Sequence, residues 1–273
     1  MITFPNAKIN LGLNITEKRP DGYHNLETVF YPVPIEDALE VVPLKGREKE
    51  FELHVLGTPI AGNPEDNLVV KAYRLLKGRF SLPPVDIYLQ KQIPSGAGMG
   101  GGSADGSFML KLLNEQFSLE LTDEELEAYA AHLGADCPFF IKNQPTFATG
   151  TGNIFQPINI TLKGLYILVV KPDIFVSTRD AFSIITPAYP VKSITDIIQS
   201  PLEEWKDCLV NDFEKSVFAQ HPEIGDIKKK LYEAGAIYAS MSGSGSALFG
   251  LFNTPVSHPE LLFSDCFIWQ GEL

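Results

Sequence analysis

Residues 96–106 hold six of the 22 glycines in this chain of 273 residues. The first five lie between a strand-like alternating run, residues 85–90, and a helix predicted over residues 103–117, and Gly106 lies within that helix. Glycine backbones adopt positive φ values and let their N–H groups approach a ligand closely. The first turn of the helix adds unpaired N–H groups and the positive end of a dipole. This arrangement predicts a phosphate-binding loop, and the alternative is a flexible surface loop.

Three familiar patterns of phosphate-binding sequence do not fit this loop. A Walker loop needs Gly-Lys-Ser or Gly-Lys-Thr, and no lysine lies here. Gly96, Gly98 and Gly101 satisfy GxGxxG, but a dinucleotide fold also needs a buried strand before the loop and an acidic residue ending a second strand about 20 residues on. The strand before this loop is half-exposed, and residues 122–127 begin a helix. The His-Arg-Asp and Asp-Phe-Gly motifs of protein kinases are absent from the sequence.

Four motifs follow one another along the chain: Ala7-Lys8-Ile9-Asn10, the glycine loop, Gly134-Ala-Asp136-Cys-Pro138, and Met241-Ser-Gly-Ser-Gly-Ser-Ala247. In this order they resemble the kinase superfamily named after galactokinase, homoserine kinase, mevalonate kinase and phosphomevalonate kinase. The resemblance runs the length of the chain. It implies a two-domain small-molecule kinase that uses ATP and Mg²⁺.

A fifth motif, Asp21-Gly-Tyr-His24 before an aliphatic-rich strand, resembles one family within this superfamily. That family acts on 4-diphosphocytidyl-2-C-methyl-D-erythritol, so the resemblance implies ATP-dependent phosphorylation of its 2-hydroxyl in non-mevalonate isoprenoid (terpenoid) biosynthesis. Two alternatives stay open: a kinase of the same fold for homoserine or mevalonate, and a catalytically silent ligand-binding relative. Tyr23 and His24 argue against the first, while Lys8, Asp136 and the complete glycine loop argue against the second.

The resemblance assigns catalysis to Lys8 and Asp136. Phosphoryl transfer to an alcohol needs charge stabilisation and a group that positions or deprotonates the hydroxyl. Asp136 is the expected base, although its spacing from Pro138 alone favours a helix cap. Lys8 is expected to keep that carboxylate ionised and to orient the acceptor hydroxyl, although a lysine on the open face of a strand is usually only solvated. Asn10, on the same face, is expected to bind substrate nearby.

The same resemblance assigns aromatic residues to the cytidyl group. Tyr23 is expected to stack on the cytosine, and His24 is expected to contact its polar edge. Phe182 is the expected partner on the opposite face of the base, with Phe175 as the second candidate. Thr178 is expected to contact substrate in the same loop. The local sequence alone favours a simple turn around residues 20–23 with a half-buried tyrosine.

ATP is expected to bind the glycine loop, whose residues are Pro94, Ser95, Gly96, Ala97, Gly98, Met99, Gly100, Gly101, Gly102, Ser103 and Ala104. Asn67, by resemblance, is expected near the adenine. Ser103 is a candidate magnesium ligand, with nucleotide phosphates and water as the other ligands. Residues 243–245 have two interpretations, a loop that narrows the site opposite the ATP loop or a tight turn. Cys137 is predicted to be a small buried hydrophobe without a chemical role.

The elements that must position these residues mix strands and helices without a strict βαβ order. Residues 7–15 alternate, which predicts a strand with one buried and one open face. Further strands are predicted at residues 38–42, 51–56, 85–89, 165–171, 237–241, 247–252 and 267–269, with a hairpin at 147–158. Helices are predicted after residue 66, over 103–117 with Phe108, Leu112 and Leu113 inward, and from a capping box at Thr122 to Gly134. Helical stretches are also predicted to dominate between the strand at 165–171 and Ala234.

These elements predict an α+β protein with an N-terminal mixed sheet carrying helices and a C-terminal ferredoxin-like α/β layer. We expect an N-terminal ATP-loop domain over residues 1–159 and a C-terminal domain over residues 160–273. The active site is expected in the cleft between them.

Composition limits the class of protein. The chain is 44% hydrophobic and 21% charged, as in globular proteins, and its net charge of −12 argues against nucleic-acid and anionic-membrane partners. Three cysteines without a CxxC pair argue against a disulfide framework or a zinc site. A signal peptide and an apolar run of about 20 residues are both missing from the sequence, which favours a cytoplasmic protein. The expected partner is the small cytidyl diphosphate substrate.

Overall fold

A computed structural model describes residues 1–44, 49–60 and 62–273 of the chain. Helices and sheets are both extensive, so the predicted α+β class is confirmed. The chain divides into two compact units. The first comprises Met1–Ala7, Ile35–Ser95 and Gly100–Gln144, and the second Lys8–Pro34, Gly96–Met99 and Pro145–Leu273. Each unit is discontinuous along the chain, and the domain boundary expected after residue 159 stays a prediction.

The strands in chain order are β1 (Ile2–Thr3), β2 (Asn6–Lys18), β3 (His24–Glu36), β4 (Ala38–Pro43), β5 (Phe51–Gly57), β6 (Val85–Lys91), β7 (Thr146–Thr149), β8 (Ile154–Pro157), β9 (Tyr166–Pro172), β10 (Tyr238–Met241), β11 (Leu248–Phe252) and β12 (Cys266–Glu272). The α-helices are α1 (Leu68–Lys77), α2 (Gly101–Gln116), α3 (Asp123–Ala131), α4 (Phe139–Lys142), α5 (Thr178–Ala181), α6 (Ile194–Ile197), α7 (Trp205–Cys208), α8 (Phe213–Gln220), α9 (Pro222–Glu233) and α10 (Pro259–Leu262). Among the described residues, no helix combines the length and apolar character that a membrane span requires.

The first unit is built on a four-stranded sheet in the order β1–β4–β6–β5. Strand β6 pairs antiparallel with β4 and parallel with β5. Its side chains alternate as predicted up to residue 90. Val85, Ile87 and Leu89 are buried, and the intervening Asp86, Tyr88 and Gln90 are more exposed. The buried face belongs to a hydrophobic core that also includes residues of α1, α2 and α3. The core therefore holds β6 and α2, the two elements that flank the glycine loop.

Helices α1 and α3 begin where the sequence predicts helix starts. Asn67 caps α1, since its Oδ1 accepts a hydrogen bond from the backbone N–H of Val69 at 3.0 Å. The predicted capping box is confirmed at α3, where Thr122 and Glu125 exchange side-chain and backbone hydrogen bonds. That helix ends at Ala131, three residues before the predicted end.

Helix α2 begins at Gly101, two residues before the predicted start. Gly100 precedes it with φ of 70°, a conformation that glycine adopts without strain. Leu112 and Leu113 face the core as predicted, whereas Phe108 is only half-buried. Gly101 and Gly102 are thus the first residues of α2 and do not precede the helix.

The second unit contains two sheets, in the orders β2–β3–β7–β8 and β10–β11–β9–β12. In the second sheet β11 and β12 flank β9, and all neighbouring strands are antiparallel. Helices α5 to α9 lie in the chain between β9 and β10, and α10 lies between β11 and β12, which gives the predicted ferredoxin-like βαββαβ order. The predicted closing strand at residues 267–269 is confirmed within β12. The predicted hairpin is also confirmed as β7 and β8.

The prediction of an open face on the first long strand is wrong. Every residue of β2 from Asn6 to Thr16 is buried, the polar ones included. Lys8, Asn10 and Asn14 are only 3%, 2% and 6% exposed. The polar groups of Lys8 and Asn10 make internal hydrogen bonds instead of contacts with water, as buried polar groups need partners.

Candidate active site

Lys8 is a buried cation with defined contacts. Its Nζ donates a hydrogen bond to Oδ1 of Asn10 at 2.7 Å and another to the backbone oxygen of Gly98 at 2.9 Å. It also lies 4.8 Å from the centre of the Phe30 ring, within range of a cation–π interaction. The interpretation of Lys8 as a solvated surface lysine is therefore wrong. The hydrogen bond to Gly98 places the ammonium group beside the backbone of the glycine loop.

Asn10 belongs to the same hydrogen-bond network. Its Nδ2 donates to Oγ1 of Thr28 at 2.9 Å, and that hydroxyl donates to the backbone oxygen of Gly12 at 2.5 Å. Lys8 and Asn10 are two residues apart on one strand, so their side chains share a face. The structure brings these two predicted residues together, and the network fixes both side chains.

Residues Gly96–Met99 of the glycine loop are tied to their surroundings. The backbone N–H of Lys8 donates to the oxygen of Met99 at 2.9 Å, and the N–H of Ala247 donates to the oxygen of Ala97 at 3.3 Å. Gly98 has φ of +72°, and a Cβ built there would lie 2.0 Å from the backbone oxygen of Ser242. Only glycine fits so close an approach. This part of the loop is anchored, in contrast to the alternative of a flexible surface loop.

The second Gly/Ser motif forms the turn between β10 and β11. Ser242 N–H donates to the oxygen of Ala247 at 2.9 Å, and Gly245 N–H donates to the oxygen of Ser242 at 3.0 Å. The same turn reaches the glycine loop, because the Ser242 hydroxyl donates to the oxygen of Gly98 at 2.9 Å. The interpretation of residues 243–245 as a tight turn is therefore confirmed, and their narrowing of the site opposite the ATP loop stays a prediction.

Two residues of this network escaped the sequence reasoning. Ser242 lies within a quoted motif, so its position could have singled it out. Asn211 had no local signal, yet its buried Nδ2 donates to the oxygens of Met241 at 2.7 Å and Gly243 at 2.9 Å. Its role becomes visible only when the fold brings it beside the turn.

The start of α2 has the features of an anion site. Its cap residue, Gly100, has no side chain that could satisfy the first N–H groups. The N–H of Ala104 bonds to the oxygen of Gly100 at 2.8 Å, so the regular ladder begins there. The N–H groups of the preceding turn point out of a helix of 16 residues at its positive end. The helix start is therefore where the sequence predicts it to within two residues, and its binding of phosphate stays a prediction.

Asp136 lies half-buried in the turn between α3 and α4. Helix α4 is capped by Pro138 without a side-chain hydrogen bond, so Asp136 does not act as its cap residue. The adjacent Cys137 is buried, and burial raises the pKa of its thiol to about 11. Its backbone oxygen accepts a hydrogen bond from the Ser107 hydroxyl at 2.7 Å, which ties this turn to α2. At neutral pH the thiol therefore stays protonated.

His24 and Phe182 stack on each other. Their ring centres are 4.5 Å apart with an interplanar angle of 17°. Phe182 also meets Phe213 edge-on at 4.8 Å. Burial, with a smaller contribution from the charge of Lys18, lowers the pKa of His24 below its usual range. His24 is therefore predominantly a neutral ring at pH 7, able both to donate and to accept a hydrogen bond.

The other predicted cytidyl residues are accessible. Tyr23 is 66% exposed, and its backbone N–H is held by Oδ1 of Asp21 at 3.1 Å. Thr178 is exposed as the first residue of α5. Phe175 is 75% exposed, and its ring lies beside Gly96, where a built Cβ would approach it to 3.2 Å. The structure thus joins His24 with Phe182 and places Phe175 against the glycine loop.

Candidate metal ligands are few in the part of the chain that the structure describes. One group of carboxylate and imidazole ligands lies within 4.8 Å of one another, namely Glu52, His54 and Asp86 on β5 and β6. It contains none of the predicted site residues. Ser103, in the first turn of α2, remains the predicted magnesium ligand.

Comparison with known proteins identifies close relatives. The chain matches the family models for the GHMP kinases N terminal domain over residues 67–144 and GHMP kinases C terminal over residues 193–261. It is 66% identical over 273 residues to a Bacteroides fragilis protein and 62% identical over 274 residues to one from Bacteroides thetaiotaomicron, covering 100% of each chain. Both relatives are named 4-diphosphocytidyl-2-C-methyl-D-erythritol kinase. A crystal structure of a 4-(cytidine 5'-diphospho)-2C-methyl-D-erythritol kinase has a TM-score of 0.83 and 29% identity, covering 99% of this chain and 98% of that chain.

Proposed function

Because the chain belongs to the GHMP kinases, and within them to the 4-diphosphocytidyl-2-C-methyl-D-erythritol kinase family, we propose that it phosphorylates the 2-hydroxyl of 4-diphosphocytidyl-2-C-methyl-D-erythritol with ATP. The observation that carries this conclusion is the 66% identity over the full length of both chains. The hydrogen bond from Lys8 to the Gly98 oxygen and the close backbone approach at Gly98 support the proposal. Kinases for homoserine or mevalonate and a silent relative are not favoured.

Asp136 is the proposed general base. In the reaction the substrate 2-hydroxyl attacks the γ-phosphorus of ATP, a new O–P bond forms, and the bond to the β-phosphate oxygen breaks to release ADP. The proton of the hydroxyl passes to the Asp136 carboxylate. Lys8, fixed by Asn10 and Gly98, supplies positive charge for the carboxylate and for the transferred group. A general base contributes roughly 10²- to 10⁴-fold to the rate.

The backbone N–H groups of the glycine loop are proposed to hold the triphosphate. This explains how a chain with a net charge of −12 can bind a polyanion, since helix-terminal N–H groups replace basic side chains. Ser103 is the proposed protein ligand of Mg²⁺, together with nucleotide phosphates and water. When bound, Mg²⁺ neutralises charge that develops on the phosphates. Asn67, whose Oδ1 already caps α1, is proposed to lie near the adenine.

The cytidyl group is proposed to bind among Tyr23, His24 and Phe182. The exposed Tyr23 ring offers a stacking surface, and a neutral His24 can read the donor and acceptor edge of cytosine. Asn10 and Thr178 are the proposed polar contacts to the rest of the substrate. Phe175 is the alternative stacking residue, and substitution of each phenylalanine by leucine distinguishes them through the KM of the cytidyl substrate.

An acceptor panel tests the proposed function. Purified protein is incubated with ATP, Mg²⁺ and one of three acceptors: 4-diphosphocytidyl-2-C-methyl-D-erythritol, homoserine or mevalonate. We expect ADP release and a phosphorylated product only with the cytidyl compound. Preferential transfer to either other alcohol would overturn the assignment. ATP binding without transfer to any acceptor would support the silent relative instead.

A further inference from the structure

Three buried charged residues form a cluster in the first unit. Lys91, Asp37 and Asp105 are 4%, 1% and 2% exposed. Lys91 Nζ donates a hydrogen bond to Oδ2 of Asp37 and another, at 2.7 Å, to Oδ2 of Asp105. Oδ1 of Asp37 accepts from the backbone N–H groups of Gln92 at 2.5 Å and Ile93 at 2.9 Å. The proposed catalytic mechanism uses none of these side chains.

Such a cluster is a poor way to stabilise a fold. Removing several charges from water is unfavourable, and apolar residues of similar shape are often equally stable or more stable. Asp105 also keeps one oxygen, Oδ1, without a hydrogen-bond partner among the described residues. Burial raises the pKa of its carboxyl to about 7, with Asp37 adding to the effect and Lys91 opposing it. The cluster therefore invites an explanation other than stability.

The position of the cluster supplies that explanation. Lys91 ends β6, where the chain enters the glycine loop, and Asp105 lies in the second turn of α2, where the chain has left it. The hydrogen bond between them joins the two ends of the loop. Gly101, the first residue of α2, packs directly on the incoming chain, since a Cβ there would lie 2.7 Å from Cγ2 of Ile93. Asp37 fixes the incoming backbone from a third point in the chain.

We propose that Lys91, Asp37 and Asp105 are positioning residues for ATP, because their hydrogen bonds fix the first turn of α2 relative to the chain that enters the loop. The inference rests on the proposed function in one respect, that the ligand of this turn is the triphosphate. Donors that are already fixed bind phosphate without losing conformational freedom. Without the bond between Lys91 and Asp105, the first turn of α2 shifts relative to Ile93, and its N–H groups no longer point at the triphosphate.

Two substitutions at Asp105 test the proposal. Asp105→Ala removes the bond across the loop but leaves Lys91 paired with Asp37, whereas Asp105→Asn keeps an oxygen that can accept from Lys91. Calorimetric titration with a non-hydrolysable ATP analogue measures binding without turnover. It is done at pH 6, where a carboxyl of pKa about 7 is mostly protonated and the substitutions change little charge. We expect Asp105→Ala to raise the Kd about tenfold and Asp105→Asn to stay within about threefold of wild type.

The matched control is Leu112→Ala on the same helix. Leu112 is 3% exposed and lies in the C-terminal part of α2, so this change lowers stability without touching the loop. We expect it to leave the Kd of the ATP analogue within about twofold, and we expect Asp105→Ala to leave the Kd of CDP within about twofold. The proposal is overturned if Asp105→Ala binds the ATP analogue like wild type, or if Leu112→Ala weakens binding equally. Failure of phosphoryl transfer in the wild-type protein would instead overturn the proposed function. The two failures are distinguishable, because the titration measures binding of the ATP analogue and does not depend on turnover.

Discussion

Replacing Gly98 by alanine is expected to destabilise the protein and displace the glycine loop. Gly98 has φ of +72°, which costs an L-residue about 1–2 kcal/mol. The new Cβ would meet the Ser242 backbone oxygen at 2.0 Å, and no side-chain rotation can relieve contact with a backbone atom. Overpacking of this kind costs about 1–3 kcal/mol. Together the two effects predict a loss of about 2–5 kcal/mol.

Thermal unfolding of a matched pair of variants measures this effect. In Gly98→Ala we expect the Tm to fall by about 4–20 °C. Gly102→Ala is the control within the same loop, because a Cβ there meets no atom within 4 Å and the residue is already helical. Alanine favours a helix over glycine by about 1 kcal/mol, so this variant should be at least as stable as wild type. A Tm for Gly98→Ala at or above that of Gly102→Ala would refute the reasoning.

Three further predictions concern stability. Because the folded protein raises the pKa of Asp105 from 3.8 to about 7, it holds that proton more tightly than the unfolded chain and loses stability as the pH rises between these values. Urea unfolding should show Asp105→Asn gaining up to about 4 kcal/mol relative to wild type from pH 4 to pH 8, and a constant difference contradicts this. Ser242→Ala should cost about 1 kcal/mol in the same assay through loss of the bond to Gly98, whereas Ser257→Ala at an exposed position should cost nothing measurable. Thr122→Ala should cost about 1 kcal/mol by removing the cap of α3, and an unchanged midpoint would show that this cap contributes nothing.

Local sequence patterns predicted the elements around the site well. The alternation of residues 85–90, the helix start after residue 66 and the capping box at Thr122 depend on neighbours in the chain, so local sequence was enough to predict them. The glycine loop was also visible, because positive φ and close backbone approach both call for glycine, as at Gly98. Lys8 and Asn10 were identified by resemblance, and the structure adds their mutual hydrogen bond.

Long-range relations were beyond the reach of local patterns. Alternation along β2 predicted an open face, yet Lys8 and Asn10 are buried because distant segments supply their partners. Asp37 and Lys91 are 54 residues apart in the chain, and the sequence around neither residue indicates that they form an ion pair. Asn211 likewise acquires its role only where the turn after β10 reaches it. Periodicity reports which face is apolar, but not whether the polar face meets water or other polar groups.

The role of Asp136 is tested most directly by the turnover of Asp136→Asn with ATP and 4-diphosphocytidyl-2-C-methyl-D-erythritol. Asparagine keeps the shape of the side chain but cannot accept the proton of the 2-hydroxyl. The control is Asp123→Asn, an exposed residue in the first turn of α3. The proposed mechanism predicts a fall in kcat of about 10²-fold or more for Asp136→Asn, with binding of a non-hydrolysable ATP analogue retained and the control unaffected. Undiminished turnover in Asp136→Asn would contradict it.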